Sequence, residues 1–290
     1  MHEFVLHNGE IVKASSQVLA PGQVGLLSGW GVFSTVKVVD GVLFAWERHW
    51  ARMNRDAKRM HVPFPSDPDA VRERLENLVA ANGSPNATMR IAVVRNRGGI
   101  WEGPGLTRDY DLVALTTGLK EWGEGVKLTV APQARHAAST FAGAKVLSWA
   151  ANLVYLEEAQ DKGFNEVILL NERDEISECT SANIFLAQGD RVWTPPLRSG
   201  CLPGVTRDLL LADVKAPGIE VKERDLTTAD IEKADELFIT STTRDLLPVL
   251  SVDGTQIPRN SRVRKALQYA FSAYTASYVA ARKARVSPQG

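Results

Sequence analysis

Strand-like and helix-like segments are intermingled along this chain, and they do not follow a regular strand–helix–strand rhythm. Short apolar runs at residues 32–39 and 42–45 are typical of strands, and the Asp40-Gly41 pair between them predicts a hairpin turn. A doubly wound parallel sheet requires a steady alternation of strands and crossover helices. The pattern therefore favours an α+β fold or a mixed α/β barrel over a doubly wound sheet.

Two amphipathic helices are predicted in the first third of the chain. Apolar side chains recur at spacings of three and four between Trp46 and Met60, which indicates one buried helix face. Another face of the same helix carries a row of arginines, namely Arg48, Arg52, Arg55 and Arg59. Asp67-Pro68 predicts the start of a second helix, because aspartate is a good N-cap and proline suits the first helical position.

The length of 290 residues predicts about two domains, at roughly 150 residues per domain. We expect a small N-terminal α/β domain over residues 1–119 and a large C-terminal domain over residues 136–290. Residues 120–135 are expected to form the interdomain linker and the start of the large domain.

Charge and composition exclude several classes of protein. Lys+Arg and Asp+Glu both number 34, whereas nucleic-acid-binding domains usually carry a basic surplus. No apolar run reaches the roughly 18 residues that a membrane span needs, and the charged N-terminal residues do not resemble a signal peptide. The two cysteines and the scattered histidines predict no disulfide framework and no metal site. We therefore expect a soluble cytoplasmic protein that binds neither nucleic acid nor membranes.

A single lysine, Lys145, lies within a run of small and apolar residues at 141–151. Burial disfavours the charged ammonium and lowers the pKa of a lysine, and a neutral amine can form a Schiff base with a carbonyl compound. The alternative interpretation is a lysine at the start of a helix that extends its charge into solvent.

A carboxylate, Glu178, is followed by the small polar residues Cys-Thr-Ser-Ala-Asn183 and then by a buried strand. A carboxylate in such a place could hold a protonated heterocyclic nitrogen, because an ionic hydrogen bond favours the protonated ring. The alternative interpretation is a turn that the hydroxyl side chains cap.

Two further segments have the composition of anion-binding sites. Cys201-Leu-Pro-Gly204-Val-Thr206 leads directly into a helix, whose first N–H groups could bind an anion, although an ordinary N-cap would look the same. The second segment is Thr240-Ser-Thr-Thr243, where four hydroxyls end a predicted strand. These hydroxyls could form a second phosphate-binding wall or simply a polar strand end.

In their order and spacing these four motifs resemble those of the class IV aminotransferases, the fold-type IV pyridoxal 5'-phosphate enzymes. The resemblance extends from Gly29 to Gly254 and is densest over residues 144–207 and 235–249. It implies a two-domain α+β fold with a small N-terminal α/β lobe and a larger C-terminal pseudo-barrel lobe. It also implies a homodimer that uses pyridoxal phosphate.

The resemblance assigns roles to individual residues. Lys145 matches the lysine that carries the cofactor and transfers protons, and Glu178 matches the carboxylate that faces the pyridine nitrogen. The residues matching the family's phosphate-binding positions are Arg52, Val205, Thr206 and Thr242. Arg48 and Arg55 remain alternatives to Arg52, because all three lie in one predicted helix.

The implied reaction moves an amino group between an amino acid, hydrophobic or branched-chain, and a 2-oxo acid. The candidate substrate-binding residues are Phe33, Thr35, Arg97, Arg135 and Thr243. Two alternatives stay open, because Phe33-Ser34-Thr35 resembles the aminodeoxychorismate lyases and residues 235–243 resemble the D-amino-acid aminotransferases. The sequence also departs from many relatives, since no tyrosine follows Lys145 before Tyr155.

Overall fold

The structure, a computed structural model, describes residues 1–258 and 260–286. The chain forms two compact units. Unit 1 contains Met1–Lys120, Lys145–Trp149 and the chain from Ala276 onward, and unit 2 contains Glu121–Ala144 and Ala150–Thr275. The segment Lys145–Trp149 thus belongs to unit 1, although the chain on both sides of it belongs to unit 2.

Unit 1 is built on an antiparallel sheet with helices. Its strands are β1 (Phe4–His7), β2 (Glu10–Lys13), β3 (Gly31–Val39), β4 (Val42–Leu43), β5 (Ala87–Arg95) and β6 (Tyr110–Thr117). They lie in the order β2-β1-β6-β5-β3-β4. Its helices are α1 (Val24–Ser28), α2 (Trp46–Arg59) and α3 (Pro68–Ala81).

Local sequence signals explain the turns and helix starts of this unit. Asp40 and Gly41 both have positive φ, as the predicted tight hairpin turn between β3 and β4 requires. The Asp67 carboxylate accepts hydrogen bonds from the backbone N–H groups of Asp69 and Ala70, so α3 begins at Pro68 as predicted. The core between the helices and the sheet includes Met53, Leu75, Val36 and Ile91, all buried.

Unit 2 is built on a larger mixed sheet. Its strands are β7 (Val126–Ala131), β8 (Glu166–Leu170), β9 (Ile176–Cys179), β10 (Asn183–Gln188), β11 (Arg191–Thr194), β12 (Glu220–Glu223), β13 (Glu236–Ser241), β14 (Asp245–Val252) and β15 (Thr255–Gln256). They lie in the order β12-β11-β10-β13-β14-β7-β8-β9, and β15 pairs with β14. Its helices are α4 (Ala150–Asp161), α5 (Val205–Ala212), α6 (Thr228–Ile231) and the first part of α7 (Arg262–Val286).

Strand pairing in unit 2 is mixed. β7 is parallel to β8 and to β14, and β11 is parallel to β12, whereas the remaining pairs are antiparallel. This pairing confirms the prediction of a mixed fold without a doubly wound sheet. Among the helices of the described residues, none is both long enough and apolar enough to cross a membrane.

The end of α7 packs against α2 within unit 1. The Tyr278 hydroxyl donates a hydrogen bond to Glu47 at 2.7 Å, and its ring lies edge-on to Phe44 with 5.4 Å between centroids. Arg282 also pairs with Glu47 at 3.0 Å. Tyr278 and Arg282 of α7 thus hold the first turn of α2, the helix that carries the row of arginines.

Candidate active site

Lys145 lies on an extended segment that pairs with the start of β3. The Phe33 N–H donates to the Lys145 carbonyl at 3.1 Å, and the Leu147 N–H donates to the Gly31 carbonyl at 3.0 Å. A Cβ at Gly31 would lie 2.5 Å from the Val93 carbonyl oxygen and from the Leu147 side chain, so this close approach requires glycine. Lys145 therefore does not begin a helix, since α4 starts further along the chain.

A buried carboxylate on α2 holds the backbone of the lysine. The Lys145 N–H donates to Asp56 Oδ2 at 3.0 Å. Asp56 Oδ1 accepts from Arg55 Nε at 3.0 Å and from Arg55 Nη2 at 2.6 Å. The Lys145 ammonium lies 4.5 Å from the centroid of the Phe33 ring, within the range of a cation–π contact. Contacts within unit 1 therefore hold both the main chain and the side chain of Lys145.

Helix α2 presents a row of polar side chains on its buried face. His49, Arg52 and Asp56 follow one another at spacings of three and four residues and are all buried. Arg48 is partly exposed and Arg55 is exposed, so of these three arginines the helix buries Arg52. The burial distinguishes Arg52 from its two neighbours, which the sequence spacing could not do.

Ser34 joins Arg52 to His49. Arg52 Nη2 donates to the Ser34 hydroxyl at 2.8 Å, and the same hydroxyl lies 2.8 Å from His49 Nδ1. Burial lowers the pKa of His49 well below its ordinary value, and the positive charges of Arg52 and Lys145 lower it further. His49 is therefore a neutral imidazole in this environment.

Arg90 is a further candidate residue that the sequence analysis missed. Its guanidinium carbon lies 4.4 Å from the centroid of the Phe33 ring. Thr35 and Arg90 are directly paired in the β3–β5 ladder, so Phe33, Thr35 and Arg90 share one face of the sheet. Burial lowers the pKa of Arg90, and in the described part of the chain no carboxylate pairs with its guanidinium. The period-two pattern of β3 and β5 could have revealed it, because it places this cation beside Phe33.

In unit 2, Glu178 lies within strand β9 rather than in a loop, and its side chain is held at both oxygens. Oε1 is 3.3 Å from Arg135 Nε, and Oε2 accepts from the Leu202 N–H at 3.0 Å. Arg135 in turn donates to Asn152 Oδ1 at 3.2 Å. The residue is 9% exposed, so an ionic partner matters more here than at the surface.

The start of α5 has the form of an anion site. Gly204 is the N-cap and has no side chain to cap the helix, so the first N–H groups lack side-chain partners there. A Cβ at Gly204 would overlap the amide oxygen of Asn183, whose Nδ2 donates to the Leu202 carbonyl at 2.8 Å. Val205 and Thr206 form the first helical turn and are both buried.

The hydroxyl-rich segment forms the end of β13 and the turn into β14. The buried Thr240 Oγ1 has no hydrogen-bond partner among the described residues. Ser241 Oγ lies 3.3 Å from Thr243 Oγ1, and Thr242 is in the turn between them. Arg244 anchors the turn, because its guanidinium donates to Glu166 at 3.1 Å.

Arg97 lies on the loop after β5, where its guanidinium forms ion pairs. Its guanidinium pairs with Glu102 at 3.0 Å and with Asp109 at 3.6 Å, and its side chain is half exposed. Arg135, the other arginine expected to bind substrate, pairs with Glu178. The substrate roles of both arginines stay predictions.

The chemistry of these residues fits pyridoxal phosphate. Lys145 carries an amine of the kind that reacts with an aldehyde, and Glu178 carries a carboxylate of the kind that binds a protonated ring nitrogen. In unit 2, the first N–H groups of α5 and the Thr240 hydroxyl, which has no hydrogen-bond partner among the described residues, are donors of the kind that bind phosphate. In unit 1, the buried guanidinium of Arg52 is a group of the kind that binds phosphate.

Known proteins resemble this chain over nearly its whole length. The family described as Amino-transferase class IV matches residues 31–252. The branched-chain-amino-acid aminotransferase of Salmonella typhimurium is 30% identical over 286 residues, covering 93% of this chain and 92% of that protein. The D-alanine aminotransferase of Bacillus licheniformis is 28% identical and covers 95% of this chain and 99% of that protein. The crystal structure of the branched-chain amino acid aminotransferase of Escherichia coli has a TM-score of 0.85 at 26% identity, covering 95% of this chain and 96% of that chain.

Proposed function

The chain belongs to the class IV aminotransferases, which use pyridoxal phosphate, and from this premise we propose that Lys145 is its catalytic residue. The observation that carries the proposal is the placement of Lys145. Its backbone is held by Asp56 and by β3, and its ammonium is held over Phe33, so the side chain has a defined position from which to react.

The cofactor, when bound, supplies an electron sink that acidifies the substrate's Cα–H bond. In our proposal Lys145 Nζ removes the proton from the substrate Cα and acts as general base and acid. Glu178 binds the ring N–H of the cofactor, and the pair with Arg135 and the Leu202 N–H keeps its carboxylate in one orientation.

We propose that the phosphate is bound by Arg52, Thr206, Thr242 and the N-terminal N–H groups of α5 that begin at Val205. Arg52 offers a planar guanidinium, which forms stronger and more directional bonds to phosphate than a neutral hydroxyl does. The burial of Arg52 and Thr206 supports this assignment, because donors shielded from water bind an anion more strongly than exposed ones.

For the substrates we propose a hydrophobic or branched-chain amino acid and a 2-oxo acid. The buried ring of Phe33 lies beside the Lys145 ammonium and suits an apolar substrate side chain. The Salmonella relative is named for branched-chain amino acids. Arg90 shares the face of Phe33 and Thr35, and its guanidinium is suited to the carboxylate of the 2-oxo acid. Thr243 remains a further candidate for substrate binding.

A half-reaction without acceptor tests the function. Adding a branched-chain L-amino acid alone to the holoenzyme should abolish the visible absorbance of the bound cofactor, and adding a 2-oxo acid should restore it. The same exchange with D-amino acids only would assign the enzyme to the D-specific type. If no amino acid of either hand gives this exchange while aminodeoxychorismate yields 4-aminobenzoate and pyruvate, the enzyme is a lyase.

Arg90→Met tests the proposed carboxylate contact, since methionine keeps an unbranched apolar stem beside Phe33 but removes the charge. We expect the KM for the 2-oxo acid to rise about ten- to a hundredfold, the size of a lost hydrogen bond to a charged group. Steady-state kinetics on both substrates measure the change. Arg97→Met is the comparison variant, because Arg97 is the other candidate for this contact. We expect the smaller rise in KM for it, since Arg97 pairs with Glu102. The opposite ranking would assign the contact to Arg97.

We also propose that the enzyme is a homodimer and works in the cytoplasm. Leu153 and Val154 on α4 are 52% and 51% exposed, and adjacent exposed apolar side chains are a feature of protein interfaces. Cys179 and Cys201 are both free and buried, which suits a reducing compartment.

A further inference from the structure

The donor and the acceptor in each hydrogen bond between Arg52, Ser34 and His49 can be assigned. A guanidinium only donates, so the Ser34 oxygen accepts the hydrogen bond from Arg52 Nη2. Ser34 has one other polar partner among the described residues, His49 Nδ1 at 2.8 Å, and its hydroxyl proton therefore points there. Nδ1 is then the acceptor, and the proton of the neutral ring is on Nε2.

The surroundings of His49 keep the ring in that form. The charged groups that act on it are Arg52, from its own helix, and Lys145, from the segment paired with β3. A second proton would place a third positive charge among them, at a position fully shielded from water. Lowering the pH through the range near 6.5, where an exposed histidine titrates, should therefore leave His49 neutral.

The arrangement has a cost in stability. His49 Nε2 is buried and has no hydrogen-bond partner among the described residues. A buried donor without a partner destabilises a folded protein by about 1–3 kcal/mol. An apolar ring would pack at this place without that cost. The cost is explained if Nδ1 of His49 is needed as a hydrogen-bond acceptor.

We propose that Ser34 and His49 position the guanidinium of Arg52 for the cofactor's phosphate: His49 accepts the Ser34 hydroxyl proton, which turns the oxygen lone pairs toward Arg52. The inference rests on the proposed role of Arg52 in phosphate binding. Ser34 and His49 are positioning residues, because they act on the phosphate through Arg52. Without the histidine as acceptor the hydroxyl can rotate, and one side of the guanidinium loses its fixed partner.

Binding of the cofactor to the apoenzyme tests the proposal without reference to turnover. Pyridoxal phosphate should bind about ten- to a hundredfold more weakly to Ser34→Ala and to His49→Phe, the effect of one hydrogen bond to a charged group. His49→Asn should restore most of the affinity, because its amide oxygen lies close to the place of Nδ1. Pyridoxal, which lacks the phosphate, should bind with the same affinity to the wild type and to these three variants. The double variant Ser34→Ala/Arg52→Ala should be no weaker than Arg52→Ala alone.

The outcomes separate the two ideas. If Arg52→Ala weakens the phosphate ester and Ser34→Ala and His49→Phe do not, the positioning role is overturned while the role of Arg52 stands. If Arg52→Ala leaves the affinity unchanged, the proposed role of Arg52 fails, and the inference fails with it. Equal losses for pyridoxal and pyridoxal phosphate would indicate general damage to unit 1 and would also overturn the positioning role.

The protonation of His49 gives an independent readout on the apoprotein. In long-range ¹H–¹⁵N spectra, the signals of His49 are those that the His49→Asn variant lacks. They should show a neutral ring with its proton on Nε2. Ser34→Ala should shift its Nδ1 resonance, because the hydrogen bond to that nitrogen is lost. A proton on Nδ1, or a resonance that titrates like an exposed histidine, would overturn the proposal.

Discussion

Lys145→Ala should abolish transamination and remove the visible absorbance of the bound cofactor, while the protein stays folded. The variant loses the amine that we assign to the aldehyde and to the removal of the Cα proton, and such a proton transfer alone contributes about 10²–10⁴ in rate. Half-reaction and steady-state assays measure the loss of activity, and circular dichroism monitors the fold. Folding should be retained, because Asp56 and β3 hold the segment through its backbone.

Lys162→Ala is the control for this variant. Lys162 is an exposed lysine just beyond α4, so its removal should leave the activity and the absorbance unchanged. Borohydride reduction followed by peptide mapping should attach the cofactor to the peptide containing residue 145 in the wild type and in Lys162→Ala. Transamination at the wild-type rate by Lys145→Ala would remove this residue from the mechanism.

Glu178→Gln should keep the cofactor bound but lower kcat by about 30- to 5,000-fold, because truncating one partner of a buried ionic contact costs about 2–5 kcal/mol. Glutamine is nearly isosteric and can still accept the hydrogen bond from the Leu202 N–H. It cannot supply the negative charge that we assign to the ring N–H of the cofactor, and it leaves Arg135 without its ionic partner. Single-turnover kinetics with a saturating amino acid measure the effect on chemistry.

Glu175→Gln is the matched control, three residues earlier in the chain. Glu175 pairs with Arg173 at 2.7 Å, but both side chains are more exposed than Glu178, and exposed pairs contribute only about 0–1 kcal/mol. Its kcat should therefore remain near that of the wild type. An unchanged kcat in Glu178→Gln would mean that Glu178 serves only to hold the backbone at Leu202.

The sequence predicted the elements with strong local signals. Strand β3, at Gly31–Val39, lies where the apolar run at residues 32–39 predicted a strand, and α3 begins at its aspartate cap and proline. The short strands β2, β9 and β12 were not predicted, because four residues of mixed polarity carry too little periodicity to be recognised. Their pairing depends on neighbours that are distant in the sequence, and a local pattern does not contain that information.

The site residues differ in how far the sequence could reveal them. Lys145 and Glu178 can be recognised from the sequence, because each is a charged residue beside small or apolar ones. Arg52 could not be separated from the other arginines of α2 by spacing, since only the packing of the helix decides which one is buried. Arg90 and His49 were missed as functional candidates, because the surroundings that make a cation or an imidazole unusual come from other elements.

The grouping of Lys145–Trp149 and the last turns of α7 with unit 1 limits how this protein can be divided or recombined. A fragment that ends at Lys120 would contain Phe33, Arg52 and Arg90 but not the lysine, nor the Tyr278 contact that braces α2. Exchange of this unit between homologues as a module must therefore transfer three separate stretches of sequence. A single crossover point near residue 120 would take Lys145 from one parent and β3, the strand with which its segment pairs, from the other.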